Sequence, residues 1–222
     1  MEKDLTSAAS LSAEISPHDL LRIRGACDLC STHSSPDWVA ASLARVRWAV
    51  VRRSLPLEGM LPVGIRGNSR EQRFAAYLPV EAILDRITPE DLAHRGSWRF
   101  SRRGGELPAL RDLDFVCQIM ADFGLQWGPT GSVGFEIATG VPTAQMNSDL
   151  DLLIRAPSEL TVDVCRRLCI RLSEQVAVRT DVLIETGTGA IALDEYVRGG
   201  MPILLRSSTG PKLVYNPWEI AD

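Results

Sequence analysis

The sequence predicts a mixed α+β fold of two lobes. Its 222 residues are enough for one large domain or two small ones. Apolar residues at helical spacing alternate along the chain with apolar runs typical of strands, which is the pattern of a mixed architecture. A stretch rich in glycine and arginine at residues 96–109 separates two such regions. We therefore assign residues 1–105 to a smaller α/β accessory lobe and residues 106–222 to a lobe with a mixed sheet flanked by helices.

The first lobe begins with residues 1–16, which are expected to form a mobile tail because small and polar residues follow one another without a sustained period. Further on, β-branched and aromatic residues predict strands, and a short apolar pattern predicts a helix. The helix is predicted at 36–43 and the strands at 46–53 and 61–67. Thr88 and Pro89 are predicted to begin another helix, since threonine is a favoured N-cap and proline a favoured first helical residue.

The second lobe begins with a predicted long helix, because apolar residues recur at three- and four-residue spacing from Leu110 to Phe123. Gly124 is expected to end it, since glycine readily adopts the left-handed conformation that follows many helices. Helices and strands then alternate to the end of the chain. The other predicted helices are 131–139, 160–172 and 191–198, and the predicted strands are 150–154, 176–185, 201–206 and 213–215.

The composition argues against several classes of protein. No stretch approaches the roughly 18–20 uninterrupted apolar residues that are needed to span a membrane. The first residues are polar and acidic and lack the basic start and apolar centre of a secretory signal, so a cytoplasmic protein is expected. The formal net charge of −4 argues against nucleic acid as a partner.

The five cysteines are an odd number, which favours free thiols over a disulfide framework. Cys27 and Cys30, with His33 following, have the spacing of half a zinc site. A structural zinc site needs about four ligands, and the chain has no second pair in a comparable motif. A zinc site at these residues is therefore not the favoured interpretation.

Asp149 and Asp151 lie two residues apart at the start of an apolar run that ends at Ile154. Residues i and i+2 of a strand point to the same face, so both carboxylates are expected to emerge together. Two like charges a few ångströms apart repel, and a shared divalent cation or a proton relieves the repulsion. Carboxylates together with substrate phosphates suit magnesium, a hard ion that prefers oxygen ligands. The pair therefore predicts a Mg²⁺ site, although an Asp-x-Asp motif near a strand start is also common turn chemistry.

A third carboxylate is expected from the predicted strand 176–185. Alternation along this strand places Asp181 and Glu185 on one face, and either of them is a candidate. Three carboxylates on adjacent strands form a two-metal or metal-plus-base site for in-line displacement at phosphorus.

Gly131 and Ser132 form a predicted turn that enters a helix just before the paired aspartates. Such a turn offers unpaired backbone N–H groups and the positive end of a helix dipole, which together bind phosphate. Arg66, Arg70 and Arg73 are candidates for further phosphate contacts. Arg66 with Arg70, or Arg70 with Arg73, would share a face if their segment were helical. The alternative is a solvated basic surface.

The order of a Gly-Ser turn, an Asp-x-Asp motif and a third carboxylate resembles the nucleotidyltransferase superfamily, and this implies a nucleotidyltransferase-like second lobe. A closer resemblance covers roughly residues 17–218 and is to the phosphoribosyl-dephospho-CoA transferases of malonate decarboxylase, which are the holo-acyl-carrier-protein synthases of that enzyme. The segments that carry it are 131–136, 138–142, 148–152 and 156–157 in the second lobe, with 18–21, 62–67, 70, 72–76, 88–92 and 216–218 elsewhere.

Two features depart from the superfamily pattern. Sixteen residues separate Ser132 from Asp149, which is a longer gap than usual, and the arginine that often follows the Gly-Ser turn is absent. Contacts to a triphosphate are therefore expected from elsewhere, with Arg66, Arg70 and Arg73 as the candidates.

The resemblance implies a reaction and a partner. A serine of the malonate decarboxylase acyl carrier protein would attack 2'-(5''-triphosphoribosyl)-3'-dephospho-CoA and release diphosphate. Mg²⁺ on Asp149, Asp151 and Asp181 would neutralise the developing charge, and one of these carboxylates would take the serine proton. The alternatives are an adenylylating nucleotidyltransferase with another protein or a small hydroxyl compound as acceptor, and a non-catalytic binding module on the same scaffold.

Overall fold

The computed structural model describes residues 15–69 and 71–219. Within these residues it has six α-helices and two β-sheets, which confirms the α+β class. The chain forms two compact units, Met1–Thr88 and Pro89–Asp222. No helix in the described part of the chain has the length and apolar character needed to cross a membrane. Most of the predicted tail, residues 1–14, lies outside the described residues, whereas Ile15 packs against the core of the first unit.

The first unit contains a five-stranded antiparallel sheet in the order β4-β3-β2-β1-β5. Helix α1 lies against β3, and buried residues such as Leu43 and Ile65 join helix and sheet in one core. The predicted helix and both predicted strands of this lobe are present. The elements are β1 (Leu20–Arg22), α1 (Asp37–Arg45), β2 (Trp48–Val51), β3 (Met60–Arg66), β4 (Arg73–Pro79) and β5 (Asp85–Ile87).

The second unit is built on a six-stranded mixed sheet in the order β11-β10-β9-β8-β7-β6. Strands β7 and β8 are parallel, and the other neighbours are antiparallel. The helices are α2 (Pro89–Arg95), α3 (Pro108–Asp122), α4 (Gly131–Thr139), α5 (Val162–Gln175) and α6 (Leu193–Arg198). The strands are β6 (Gln126–Pro129), β7 (Leu150–Arg155), β8 (Thr180–Glu185), β9 (Ala190–Ala192), β10 (Ile203–Ser207) and β11 (Gly210–Val214).

The division between the units lies earlier than the predicted boundary at 105/106. Helix α2 belongs to the second unit because it packs directly on β6. The contact is so close that a Cβ at Gly128 would overlap the carbonyl of Pro89. The sequence shows where this helix begins, but a local pattern carries no information about the sheet on which the helix packs.

The core of the second unit lies on one face of the sheet. Leu150, Leu152 and Ile154 of β7 are buried there with alternate residues of β8 and the apolar faces of α3 and α5. Full burial of one such side chain contributes about 1.5–3 kcal/mol. This packing fixes which residues of β7 and β8 face away from the core.

A buried carboxylate fixes the turn that leads into β8. The Oδ2 atom of Asp112 in α3 accepts hydrogen bonds from the amides of Ala177 at 2.7 Å and Val178 at 2.8 Å. Hydrogen bonds to a charged group each contribute roughly 1.5–3 kcal/mol. Asp112 therefore ties the start of β8, and with it the position of Asp181, to the helical layer.

Candidate active site

Asp151 and Asp181 are direct neighbours on the two parallel strands. Each is the second residue of its strand, and the β7–β8 register pairs them with one another. Neighbouring strands lie about 4.8 Å apart, and paired residues point to the same face. The two carboxylates therefore leave the sheet side by side.

Asp149 lies immediately before β7. The amide of Leu150 donates to the carbonyl of Arg179 at 2.9 Å, so the pairing with the segment before β8 extends to this point. Leu150 and Leu152 are buried at 0% and 1% exposure, whereas Asp149 and Asp151 are only partly buried. The alternation places both aspartates on the face of the strand opposite to these two leucines.

The turn between β6 and α4 lies against Asp151. The amide of Thr130 donates to the carbonyl of Asp151 at 2.8 Å, and Gly131 has a φ of 60°. A Cβ at Gly131 would overlap the Asp151 carboxylate. Only glycine combines this backbone conformation with so close an approach.

Helix α4 begins at this turn, and its N-cap Thr130 makes no side-chain capping hydrogen bond. The first N–H groups of a helix have no partner within the helix, and the positive end of the helix dipole favours anions. The start of α4 beside Asp151 therefore has the chemistry of a phosphate site next to a carboxylate.

Ser132 is joined to the residue that precedes Asp149. Its hydroxyl lies 3.5 Å from the hydroxyl of Ser148, whose Oγ also accepts a hydrogen bond from the amide of Gln145 at 2.8 Å. The structure thus brings the Gly-Ser turn and the paired aspartates together, although a long connection separates them in the sequence.

The register distinguishes the two candidates for the third carboxylate. Asp181 pairs with Asp151, whereas Glu185 pairs with Arg155 near the other end of the strands and lies 3.8 Å from its guanidinium. Arg155 in turn donates to Glu90 at 2.8 Å. The geometry favours Asp181 as the carboxylate that acts with Asp151.

Arg179, which is not among the residues predicted from the sequence, donates to Oδ1 of Asp181 at 2.8 Å. Both side chains are accessible, with 71% and 43% of their surfaces exposed. The signal for this pair is a basic residue two positions before the acidic one, which is the spacing that puts two side chains on one strand face. Arg179 places a positive charge beside the candidate carboxylates.

The donor set fits a small divalent cation. Mg²⁺ is commonly held by one or two carboxylates together with substrate phosphates and water, and Asp151 with its neighbours supplies oxygen donors of that kind. As the side chains stand, the described residues contain no group of three or more His, Cys, Asp or Glu that is close enough to hold a metal. The full three-carboxylate set thus stays a prediction.

Cys27 and Cys30 are exposed and free. The remaining cysteines are also free, and burial raises the pKa of Cys165 to about 11.

Asp19, which follows His18, is fully buried and accepts hydrogen bonds from Arg86 and from the amide of Ser16, so it serves the packing of the first unit.

The predicted arginine group lies in the first unit. Arg66 ends β3 and Arg73 begins β4, and the two residues are paired across the hairpin. Arg70 lies outside the described residues. Strands β3 and β4 are paired as far as Arg66 and Arg73, so these two residues lie on a hairpin. A shared helix face is therefore not formed by them.

The family models and the curated relatives that match this chain carry the same family name. The model of the phosphoribosyl-dephospho-CoA transferase MdcG N-terminal domain matches residues 16–89, and that of the C-terminal domain matches residues 98–217. A phosphoribosyl-dephospho-CoA transferase of Pseudomonas aeruginosa is 38% identical over 207 residues, which cover 93% of this chain and 95% of the relative. Its counterpart from Azotobacter vinelandii is 39% identical over 210 residues, or 91% of this chain and 94% of the relative. No solved structure matches the chain.

Proposed function

The chain belongs to the phosphoribosyl-dephospho-CoA transferase family, and we propose that it transfers the phosphoribosyl-dephospho-CoA group from 2'-(5''-triphosphoribosyl)-3'-dephospho-CoA to a serine of the malonate decarboxylase acyl carrier protein. Membership makes the chain a transferase enzyme, and the donor, the acceptor and the release of diphosphate are the proposal. One observation supports it above the others. Asp151 and Asp181 are paired in register beside the start of α4, at the turn formed by Gly131.

The reaction is a displacement at phosphorus. The serine hydroxyl of the carrier attacks the phosphorus nearest the ribose, and a new phosphorus–oxygen bond forms to the serine. The bond from that phosphorus to the bridging oxygen of the diphosphate breaks, and the electron pair leaves with the diphosphate. The serine proton passes to a carboxylate of the site, for which Asp181 is the candidate.

The residues of the site have separate roles in this scheme. Asp149, Asp151 and Asp181 would hold Mg²⁺, which neutralises charge on the phosphate oxygens when it is bound. The backbone of Gly131 and Ser132 at the start of α4 binds the phosphate chain. Arg179 is a further cation beside the carboxylates and could contact phosphate oxygens.

The proposal is tested by the mass of the carrier protein. We expect the purified apo-carrier subunit, incubated with the protein, triphosphoribosyl-dephospho-CoA and Mg²⁺, to gain one phosphoribosyl-dephospho-CoA unit, and EDTA to abolish the gain. A carrier whose acceptor serine is replaced by alanine is the control and should gain nothing. Each equivalent of modified carrier should be matched by one equivalent of diphosphate.

Two other results would contradict the proposal. A gain of one AMP unit with ATP as the sole donor would indicate an adenylylating enzyme. No modification with either donor, by a protein that unfolds cooperatively, would indicate a binding module that has kept the scaffold.

A further inference from the structure

Glu136 is a buried carboxylate within an apolar part of α4. It is 5% exposed, between Phe135 and Ile137 in the sequence. Burial of a charged group is costly unless the group is paired and hydrogen-bonded. The charge at this position must therefore be balanced by specific partners.

Its partners are one arginine and two backbone amides. Nη1 of Arg103 donates to both carboxylate oxygens at 2.9 Å. The amides of Thr143 and Ala144 each donate to Oε2 at 2.8 Å. Nη2 of Arg103 also donates to the carbonyl of Ala144 at 3.2 Å. Glu136 and Arg103 together therefore bind both backbone polar groups of Ala144.

Ala144 belongs to the connection between α4 and β7, which contains no helix or strand. The hydroxyl of Thr143 donates to the carbonyl of Ser132 at 2.8 Å. Further along, the amide of Ser148 donates to the carbonyl of Gln145 at 3.0 Å in a tight turn. Ser148 in turn lies beside Ser132 and directly before Asp149. Hydrogen bonds and the short backbone segments between them thus lead from Glu136 to Ser148, the residue directly before Asp149.

We infer that Glu136 and Arg103 are positioning residues for the transfer reaction, because they fix the connection that leads into Asp149, two residues before Asp151. Neither residue contacts a reacting group in this scheme. Their effect reaches the chemistry through the position of Asp149, so the inference rests on the proposed function. A displacement of about 1 Å in a catalytic group can cost a hundredfold in rate.

The test is the variant Glu136→Gln, which keeps the shape and loses the charge that Arg103 balances. We expect kcat to fall about a hundredfold while KM for the carrier stays within threefold. In the absence of substrate, the Kd for Mn²⁺, measured by electron paramagnetic resonance, should rise about tenfold. A residue that served only stability would lower the unfolding midpoint and leave kcat per folded molecule and the Kd for Mn²⁺ unchanged.

Glu90→Gln is the matched control, since Glu90 accepts from Arg155 at 2.8 Å, is partly buried and belongs to the same unit but not to the connection. It should change stability without changing the Kd for Mn²⁺. Ser148→Ala removes the hydroxyl that joins Ser132 and the amide of Gln145 in the same connection, without leaving a buried charge. We expect it also to raise the Kd for Mn²⁺ and to lower kcat.

Wild-type kcat and Mn²⁺ affinity in folded Glu136→Gln would overturn the inference. If Glu136→Gln does not fold, wild-type kcat and Mn²⁺ affinity in Ser148→Ala would overturn the inference instead. A wild-type protein that binds Mn²⁺ but transfers nothing would instead contradict the proposed function, so the two failures are distinguishable.

Discussion

Replacement of Asp151 by asparagine is expected to reduce the rate of transfer about a thousandfold or more while the protein stays folded. Asp151 occupies the centre of the candidate site, in register with Asp181 and against the backbone of Gly131. Asparagine keeps the shape and one oxygen acceptor but lacks the negative charge that a cation needs. A metal ion contributes several kcal/mol to stabilisation of the transition state, and each 1.36 kcal/mol corresponds to about a factor of ten in rate.

The measurement is the single-turnover rate, followed by the mass of the carrier, together with the urea midpoint of unfolding. Asp163→Asn is the control, because the side chain of Asp163 lies on α5, is 84% exposed and forms a surface ion pair with Arg166. The control should transfer at the wild-type rate. A rate for Asp151→Asn within threefold of wild type would exclude the carboxylate from the chemistry.

The substitution Gly131→Ala is expected to reduce transfer at least a hundredfold and to lower the free energy of unfolding by about 1–3 kcal/mol. Two causes act together at this residue. The φ of 60° strains any residue with a Cβ, and the added Cβ would occupy the position of the Asp151 carboxylate. The carboxylate must therefore move or the turn must open, and either change disturbs the candidate phosphate and metal sites.

Gly140→Ala separates these two causes. Gly140 follows the last residue of the same helix with a φ of 70°, and a Cβ there would have nothing within 4 Å. We expect a similar loss of stability and a wild-type rate of transfer, measured in the same two assays. Equal loss of activity in the two variants would show that strain in α4, and not contact with Asp151, explains the effect.

The sequence predicted the elements whose signals are local. The apolar run after Asp149 became β7, and the helical period after Leu110 became α3. The predicted strand 176–185 began too early because Asp112 of α3 binds the amides of Ala177 and Val178, which are therefore not available to a neighbouring strand. The predicted helix 191–198 likewise begins later, at Leu193, because residues 190–192 pair with β8 and β10.

In the candidate site, too, the sequence predicted the local motifs but not the contacts between distant segments. The spacing of Asp149 and Asp151 and the Gly-Ser turn are short motifs that can be recognised in the sequence alone. The register that pairs Asp151 with Asp181 depends on packing between distant segments, and so does the ion pair of Glu136 with Arg103, 33 residues away. The sequence predicted the strand that ends near Arg66, but not its pairing with Arg73, because that pairing depends on the partner strand.

The claim that Asp149 and Asp151 jointly bind a divalent cation beside a polyphosphate is tested most directly by a crystal structure of the protein soaked with Mn²⁺ and inorganic triphosphate. We predict an anomalous difference peak at about 2.1 Å from an oxygen of each carboxylate, with a phosphate oxygen completing the coordination near the start of α4. A structure in which Mn²⁺ and triphosphate bind elsewhere, and in which the two carboxylates contact only protein groups, would contradict the claim.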